Sequence, residues 1–116
     1  MCHALIIEDD PFIAMHIEDV LRDGGASTVI IAMTEGDAID AARAERPDFI
    51  TSDVRLLEGT GPDAVIAIRS MYDTVPVTFI TAWPEACHEV ARAEVLQKPV
   101  RATALLESFK RAVPGC

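Results

Sequence analysis

The sequence predicts an α/β fold, with one five-stranded parallel sheet covered by helices on both faces. Three observations predict it. Short apolar runs alternate with stretches of helical periodicity from end to end. The apolar runs carry little polar alternation, as strands buried on both faces should. Four of them stop at a carboxylate, a hydroxyl or an ammonium, and in an open parallel sheet such strand ends converge on one edge, where ligands bind.

The elements follow in order. The first strand is expected at residues 3–7, and Glu8-Asp9 follows it. Asp10-Pro11 supplies a cap and a proline at the first helical position; Ile13, Ile17, Val20 and Leu21 share one helix face, and Gly24-Gly25 closes that helix. A second strand is expected at 27–32. Thr34 with Asp37 resembles a capping box, and the helix from Glu35 to Glu45 is alanine-rich, so that Ala38, Ala41 and Ala42 let it approach the sheet closely. Pro47 stops it.

A third strand at 48–52 ends at Asp53, and Gly59-Thr60-Gly61-Pro62 forms a loop before the third helix, where Ala64, Ala67, Ile68 and Met71 share a face. A fourth strand at 75–80 ends at Thr81, and Pro84 can start the fourth helix. A fifth strand at 94–97 ends at Lys98; Ala102, Leu105, Leu106 and Phe109 mark one face of the last helix. No internal repeat, linker or low-complexity segment interrupts the alternation.

Composition bounds the function. At 116 residues the chain is expected to be one domain, 1–116, burying roughly two-thirds of its unfolded surface. Half the residues are hydrophobic, which implies a packed core. A formal charge of −9 argues against nucleic acid as a direct partner, because phosphate binding needs clustered Lys and Arg. No apolar run approaches the ~20 residues of a membrane span, and no secretory leader is evident, so a cytoplasmic protein is expected. Cys2, Cys87 and Cys116 are odd in number and widely spaced, so no disulfide framework is expected. Cys87-His88 reads as ordinary helix surface.

The strand-end residues carry the chemistry. Asp53, at the centre of the sheet, is the nucleophile candidate, since aspartate carboxylates attack phosphorus to give an acyl phosphate. Glu8 and Asp9 follow the first strand, which lies beside the third in a flavodoxin-like order. Three carboxylates that close repel one another, and a hard divalent cation resolves the repulsion. Mg²⁺ suits oxygen ligands and takes one or two carboxylates plus a phosphate oxygen. Thr81 can hydrogen-bond one phosphoryl oxygen and Lys98 can pair with another. A cis Lys98-Pro99 bond would aim the ammonium inward. Taken singly these residues have bland readings: Asp10 is better read as a helix cap, Glu8-Asp9-Asp10 could be a polar turn, and His3 and His16 are surface or core-edge residues. The constellation is the specific signal.

These residues identify a resemblance. Ile6-Ile7-Glu8-Asp9-Asp10, Asp53-Val54-Arg55-Leu56, Gly59-Thr60-Gly61, Phe79-Ile80-Thr81-Ala82 and Leu96-Gln97-Lys98-Pro99 resemble the receiver domain of two-component response regulators over nearly the whole chain. The resemblance implies a flavodoxin-like (βα)5 fold with strand order 2-1-3-4-5, an order for which chemotaxis receivers are a known instance. It implies that Asp53 is the phosphoacceptor, served by a sensor histidine kinase or a histidine phosphotransfer protein in a phosphorelay. Asp9 and Asp53 would bind Mg²⁺ through carboxylates, Glu8 through water and Arg55 through its backbone carbonyl. Thr81 would swing toward the phosphoryl group, Lys98 would pair with it, and Ala82 would leave room for entry and water attack. Such a protein is a signalling phosphoacceptor that catalyses its own phosphoryl transfer and slow autodephosphorylation, rather than an enzyme acting on a separate substrate.

Departures from the family pattern sharpen the expectations. Leu57 stands where proline is frequent, and Val95 where an aromatic switch residue is common. Only 17 positions separate Thr81 from Lys98, so residues 84–93 must form a shortened fourth helix or an irregular loop. That segment and Phe79-Ile80-Thr81-Ala82-Trp83 look like a subgroup of alphaproteobacterial receivers, including stand-alone ones and that of a general stress response regulator. Trp83, the only tryptophan, is a candidate to replace the missing aromatic. The sequence ends soon after the fifth helix, with no room for an output domain, so output is expected through a partner protein or phosphate traffic, with a homodimer as an option. Ala104, Leu105 and Ser108 are candidate contact residues. Two rivals stand beside this reading. A Mg²⁺-dependent phosphohydrolase would want a second carboxylate where Arg55 stands, and an unphosphorylated receiver-like module would usually lack an acidic or lysine position that is present here.

Overall fold

A computed structural model describes residues 1–87 and 90–116. Its elements run β1 (His3–Ile7), α1 (Pro11–Asp23), β2 (Thr28–Ala32), α2 (Glu35–Ala44), β3 (Phe49–Ser52), α3 (Gly61–Tyr72), β4 (Val77–Thr81), a 3₁₀ turn (Pro84–Cys87), β5 (Ala93–Gln97) and α4 (Ala102–Ala112). The strands form one parallel sheet in the order β2-β1-β3-β4-β5, the flavodoxin-like order expected. The helix starts behave as their sequences require. Asp10 caps α1 by accepting from the N–H groups of Phe12 and Ile13, and Thr34 caps α2 by accepting from Asp37 at 3.0 Å.

Successive strand residues point to opposite faces, and the core splits accordingly. On one face Leu5, Ile7, Ile50, Val77 and Phe79 pack against Ala38 and Ala42 of α2 and Ala64, Val65 and Ile68 of α3. On the other, Ala4, Ile6, Phe49 and Ile80 pack against Ala14, Ile17 and Leu21 of α1 and Leu105 and Phe109 of α4. The rings of Phe49 and Phe109 meet at a centroid distance of 5.0 Å. Leu105 and Ser108, candidate contact residues from the sequence, are both buried, and the Ser108 hydroxyl bonds Thr78 Oγ1 at 2.7 Å.

One strand start and one pairing differ most from expectation, while the connection from β4 to β5 is short, as expected. β4 begins at Val77 rather than Val75, because the Val75 carbonyl is taken by the Arg69 guanidinium and Pro76 has no N–H to give the ladder. Between β4 and β5 a four-residue 3₁₀ turn stands where a fourth helix would be, since a parallel crossover normally needs a dozen or more residues to hold one. Arg69 fastens that short connection, donating also to the carbonyls of Ala91 and Arg92. Contrary to the expectation from spacing, Cys2 and Cys116 form a disulfide, with Cα atoms 5.7 Å apart. The tail after α4 returns to the end of the sheet where β1 begins, a meeting that a separation of 114 residues does not announce. The Cys87-His88 pair lies outside the described residues as far as its side chains are concerned. Among the described residues no helix is long and apolar enough to cross a membrane.

Candidate functional site

Topology places the site. The connection from β1 leads outward to β2, whereas β3, β4 and β5 lie on the other side of β1, so the carboxyl ends of β1 and β3 flank the switch point of the sheet. Ile7 is in register with Ser52, and the Asp53 N–H donates to the Ile7 carbonyl at 2.9 Å. The residues that follow the two strands therefore emerge side by side. One carboxylate oxygen from each of Glu8, Asp9 and Asp53 lies within 4.8 Å of the others. On the far side of Asp53, β4 ends at Thr81, which is fully buried, and the Lys98 N–H donates to the Thr81 carbonyl at 2.9 Å. The Lys98-Pro99 peptide bond is cis.

Lys98 ties the cluster together. Its Nζ lies 2.9 Å from Glu8 Oε1 and 2.9 Å from Asp53 Oδ2. The contact with Asp53 is a hydrogen bond. The contact with Glu8 is an ion pair poorly aligned for one, and it leaves Oε1, fully buried, with no well-aligned hydrogen bond among the described residues. Glu8 Oε2 accepts from the Asp10 N–H at 3.1 Å, and Asp53 Oδ1 accepts from the Val54 N–H at 2.7 Å. Burial pushes the Glu8 carboxyl above its ordinary pKa; Lys98 and the Asp10 N–H oppose this, while the Asp53 charge adds to it. For Lys98 burial pulls the other way, but its contacts with Asp53 and Glu8 outweigh it and the ammonium is held more firmly than usual.

Three carboxylates against one ammonium leave the site short of positive charge, and one buried oxygen is unsatisfied. A hard, oxygen-seeking divalent cation fits that donor set. The structure thus brings together Glu8, Asp9, Asp53 and Lys98. Thr81 sits beside them, but its Oγ1 accepts from the Trp83 N–H at 3.0 Å. The Arg55 side chain leaves the cluster for the Trp83 ring, with its guanidinium carbon 5.3 Å from the ring centroid, and its backbone is fixed by a bridge to Thr60. Asp10 caps α1, as expected, rather than joining the carboxylates.

Some positioning groups were not foreseen from sequence. A Cβ on Gly61 would fall onto the Asp53 carbonyl oxygen and the Ser52 hydroxyl, so only glycine lets α3 start against the phosphoacceptor candidate's backbone. The Gly61 N–H donates to Val54 O at 2.8 Å, and the Ser52 hydroxyl donates to Asp53 O at 2.8 Å. Glu35 Oε1 accepts from the Thr60 N–H at 3.1 Å and steadies the same loop from α2. A glycine just before Pro62 signals a loop in sequence; nothing in sequence shows which backbone it must clear.

Residues 4–110 match the family model of the response regulator receiver domain. The chain belongs to this family. Receivers are signalling phosphoacceptors, and the fold and acidic cluster agree with that membership. The receiver is 41% identical over 83 residues to the phyllosphere-induced regulator PhyR of Methylorubrum extorquens, a match covering 70% of this chain and 31% of that protein. The chain therefore spans about a third of the length of this relative, given the 31% covered. The receiver domain of the Erythrobacter litoralis PhyR response regulator superposes with a TM-score of 0.88 at 32% identity, covering 98% of this chain and 91% of that one. The receiver domain of the Pseudomonas aeruginosa sensor histidine kinase PA1611 superposes with a TM-score of 0.87 at 27% identity, covering 98% of each chain, and holds a magnesium ion in its active site cleft.

Proposed function

We propose that Asp53 is the phosphoacceptor of this receiver and that Glu8, Asp9, Asp53 and the Arg55 backbone carbonyl hold Mg²⁺ beside it. The observation that carries the reading is the Lys98 ammonium at 2.9 Å from both Glu8 and Asp53, within a cluster of three carboxylates. When bound, the cation offsets the repulsion between the anionic nucleophile and the anionic phosphoryl group.

The chain's own residues do the rest. A carboxylate oxygen of Asp53 forms the new P–O bond as the N–P bond of a donor phosphohistidine breaks, and the electron pair leaves on the imidazole. Lys98, already in place, exchanges part of its pairing with Asp53 for a phosphoryl oxygen. The Thr81 hydroxyl accepts from Trp83 and keeps its own proton free to donate to a phosphoryl oxygen. Turning toward the phosphoryl group draws Thr81 away from the Trp83 N–H, so Trp83 and the Arg55 stacked on it repack. The fluorescence of Trp83 changes on addition of Mg²⁺ and beryllofluoride; an unchanged spectrum with binding shown by calorimetry removes Trp83 from the switch.

The donor is a sensor histidine kinase or a histidine phosphotransfer protein, and the signal leaves this receiver through a partner protein or a further phosphohistidine. Incubation with acetyl phosphate and Mg²⁺ followed by intact-mass measurement tests the assignment. One added phosphoryl group is expected on the wild type and none on Asp53→Asn. A wild type that takes up no phosphoryl group favours the inert interaction module, and continuous phosphate release from varied phosphoesters favours a hydrolase.

A further inference from the structure

We propose that β2, one open edge of the sheet, is a self-association surface that pairs antiparallel with β2 of a second copy of this chain. The two edges of the sheet differ in how they are guarded. Free edges invite pairing, and proteins blunt them with charge, proline or a bulge. β5 is guarded: Glu94 within it is paired with Arg111, and Arg92 flanks it. β2 has no such guard. From Ala26 to Thr34 the chain carries no charge, no proline and no glycine. Ile30, Ile31 and Met33 remain 45%, 36% and 38% exposed, although they lie on or next to a strand of the sheet.

Backbone direction selects the register. Among the described residues β2 bonds only β1, with Thr28 N–H donating to Cys2 O and Ala32 O accepting from Glu8 N–H. Thr28, Ile30 and Ala32 therefore turn their peptide groups toward β1, and Val29 and Ile31 turn theirs outward. An antiparallel two-fold centred on Ile30 sets Val29 opposite Ile31 of the second copy, and Ile31 opposite its Val29. Both outward-facing residues of each strand then exchange their N–H and C=O bonds, and the two Ile30 side chains meet as a close, non-hydrogen-bonded pair. Thr28 opposes Ala32 and Ser27 opposes Met33, so no like charges meet along the seam. The interface is isologous and closes at two copies, giving one continuous ten-stranded sheet.

Sedimentation velocity over a micromolar concentration series tests this, in about 0.15 M salt so that the repulsion between chains of charge −9 is screened within ~8 Å. A concentration-dependent dimer is expected. Ile30→Lys, at a position 45% exposed on the strand, sets two ammonium groups directly opposite and raises the dimer dissociation constant about tenfold or more. Val95→Lys, on the guarded edge, leaves it unchanged. In the wild type, hydrogen exchange at the Val29 and Ile31 amides slows as concentration rises. A wild type that stays monomeric, a dimer indifferent to Ile30→Lys, or Val29 and Ile31 amides that exchange equally fast at all concentrations would each overturn the proposal.

Discussion

The two ends of the sheet are built on opposite rules. At the amino end of β4 and β5, Arg69 gives its N–H groups to the carbonyls of Val75, Ala91 and Arg92, so a half-buried cation meets three acceptors. Burial and the nearby Arg92 charge lower its pKa, and a guanidinium stays charged regardless. At the carboxyl end three carboxylates cluster around one ammonium, which reaches Glu8 and Asp53 at 2.9 Å and meets Glu8 Oε1 in an alignment poor for a hydrogen bond. The first arrangement holds a shortened crossover in place. The second leaves negative charge in excess, which fits the cation and phosphoryl group proposed for it.

Breaking the frame beneath the site has the largest effect. Gly61→Ala drives a methyl into the Asp53 carbonyl, and with no side-chain motion able to relieve it the loss in urea unfolding is about 3 kcal/mol or more. Removing the clamp comes next. Arg69→Ala leaves three carbonyls without their charged donor and costs about 2 kcal/mol of stability, while phosphoryl uptake by the folded fraction stays at the wild-type level.

The smallest effects are the sharpest, because they carry opposite signs. The raised Glu8 pKa means that its favourable contribution is present below the ordinary value of 4.5 and is lost as pH rises through the folded value. Glu8→Gln is therefore more stable than wild type at neutral pH without divalent metal, and the gain fades toward pH 4.5. Glu94 is the reverse: its hydrogen bonds to Arg111 lower its pKa, so its contribution is present above 4.5 and is lost as pH falls through the folded value. Glu94→Gln is slightly less stable than wild type at neutral pH and matches it in acid. Thermal unfolding across pH with a chelator present checks both.

Much of this was legible in the chain because it is local. Asp10-Pro11 and Thr34 announce their helices by cap chemistry, and the runs of Ile, Val and Phe announce strands buried on both faces. The candidate site was legible because its residues stand at or just past the ends of strands, and a parallel sheet with that strand order brings those positions together. What escaped was contact between distant segments with no periodic signature. Gly61 against Asp53, Arg69 across to Ala91 and Arg92, Arg55 under Trp83, and Cys2 with Cys116 each depend on how separate loops return to one place. Thr81 was placed correctly, but that its hydroxyl rests on the Trp83 N–H is a property of a tight turn whose path Thr81-Ala82-Trp83 does not reveal.

Paramagnetic broadening by Mn²⁺, standing in for Mg²⁺, separates the two ends most directly. Substoichiometric Mn²⁺ is expected to broaden the amide resonances of Glu8, Asp9, Asp53, Val54 and Arg55 beyond detection while leaving Asp73, Val75 and Arg92 sharp. Broadening spread over the exposed acids of the helices, or none at the carboxyl ends of β1 and β3, would contradict the claim that this end of the sheet is a deficit built for a cation.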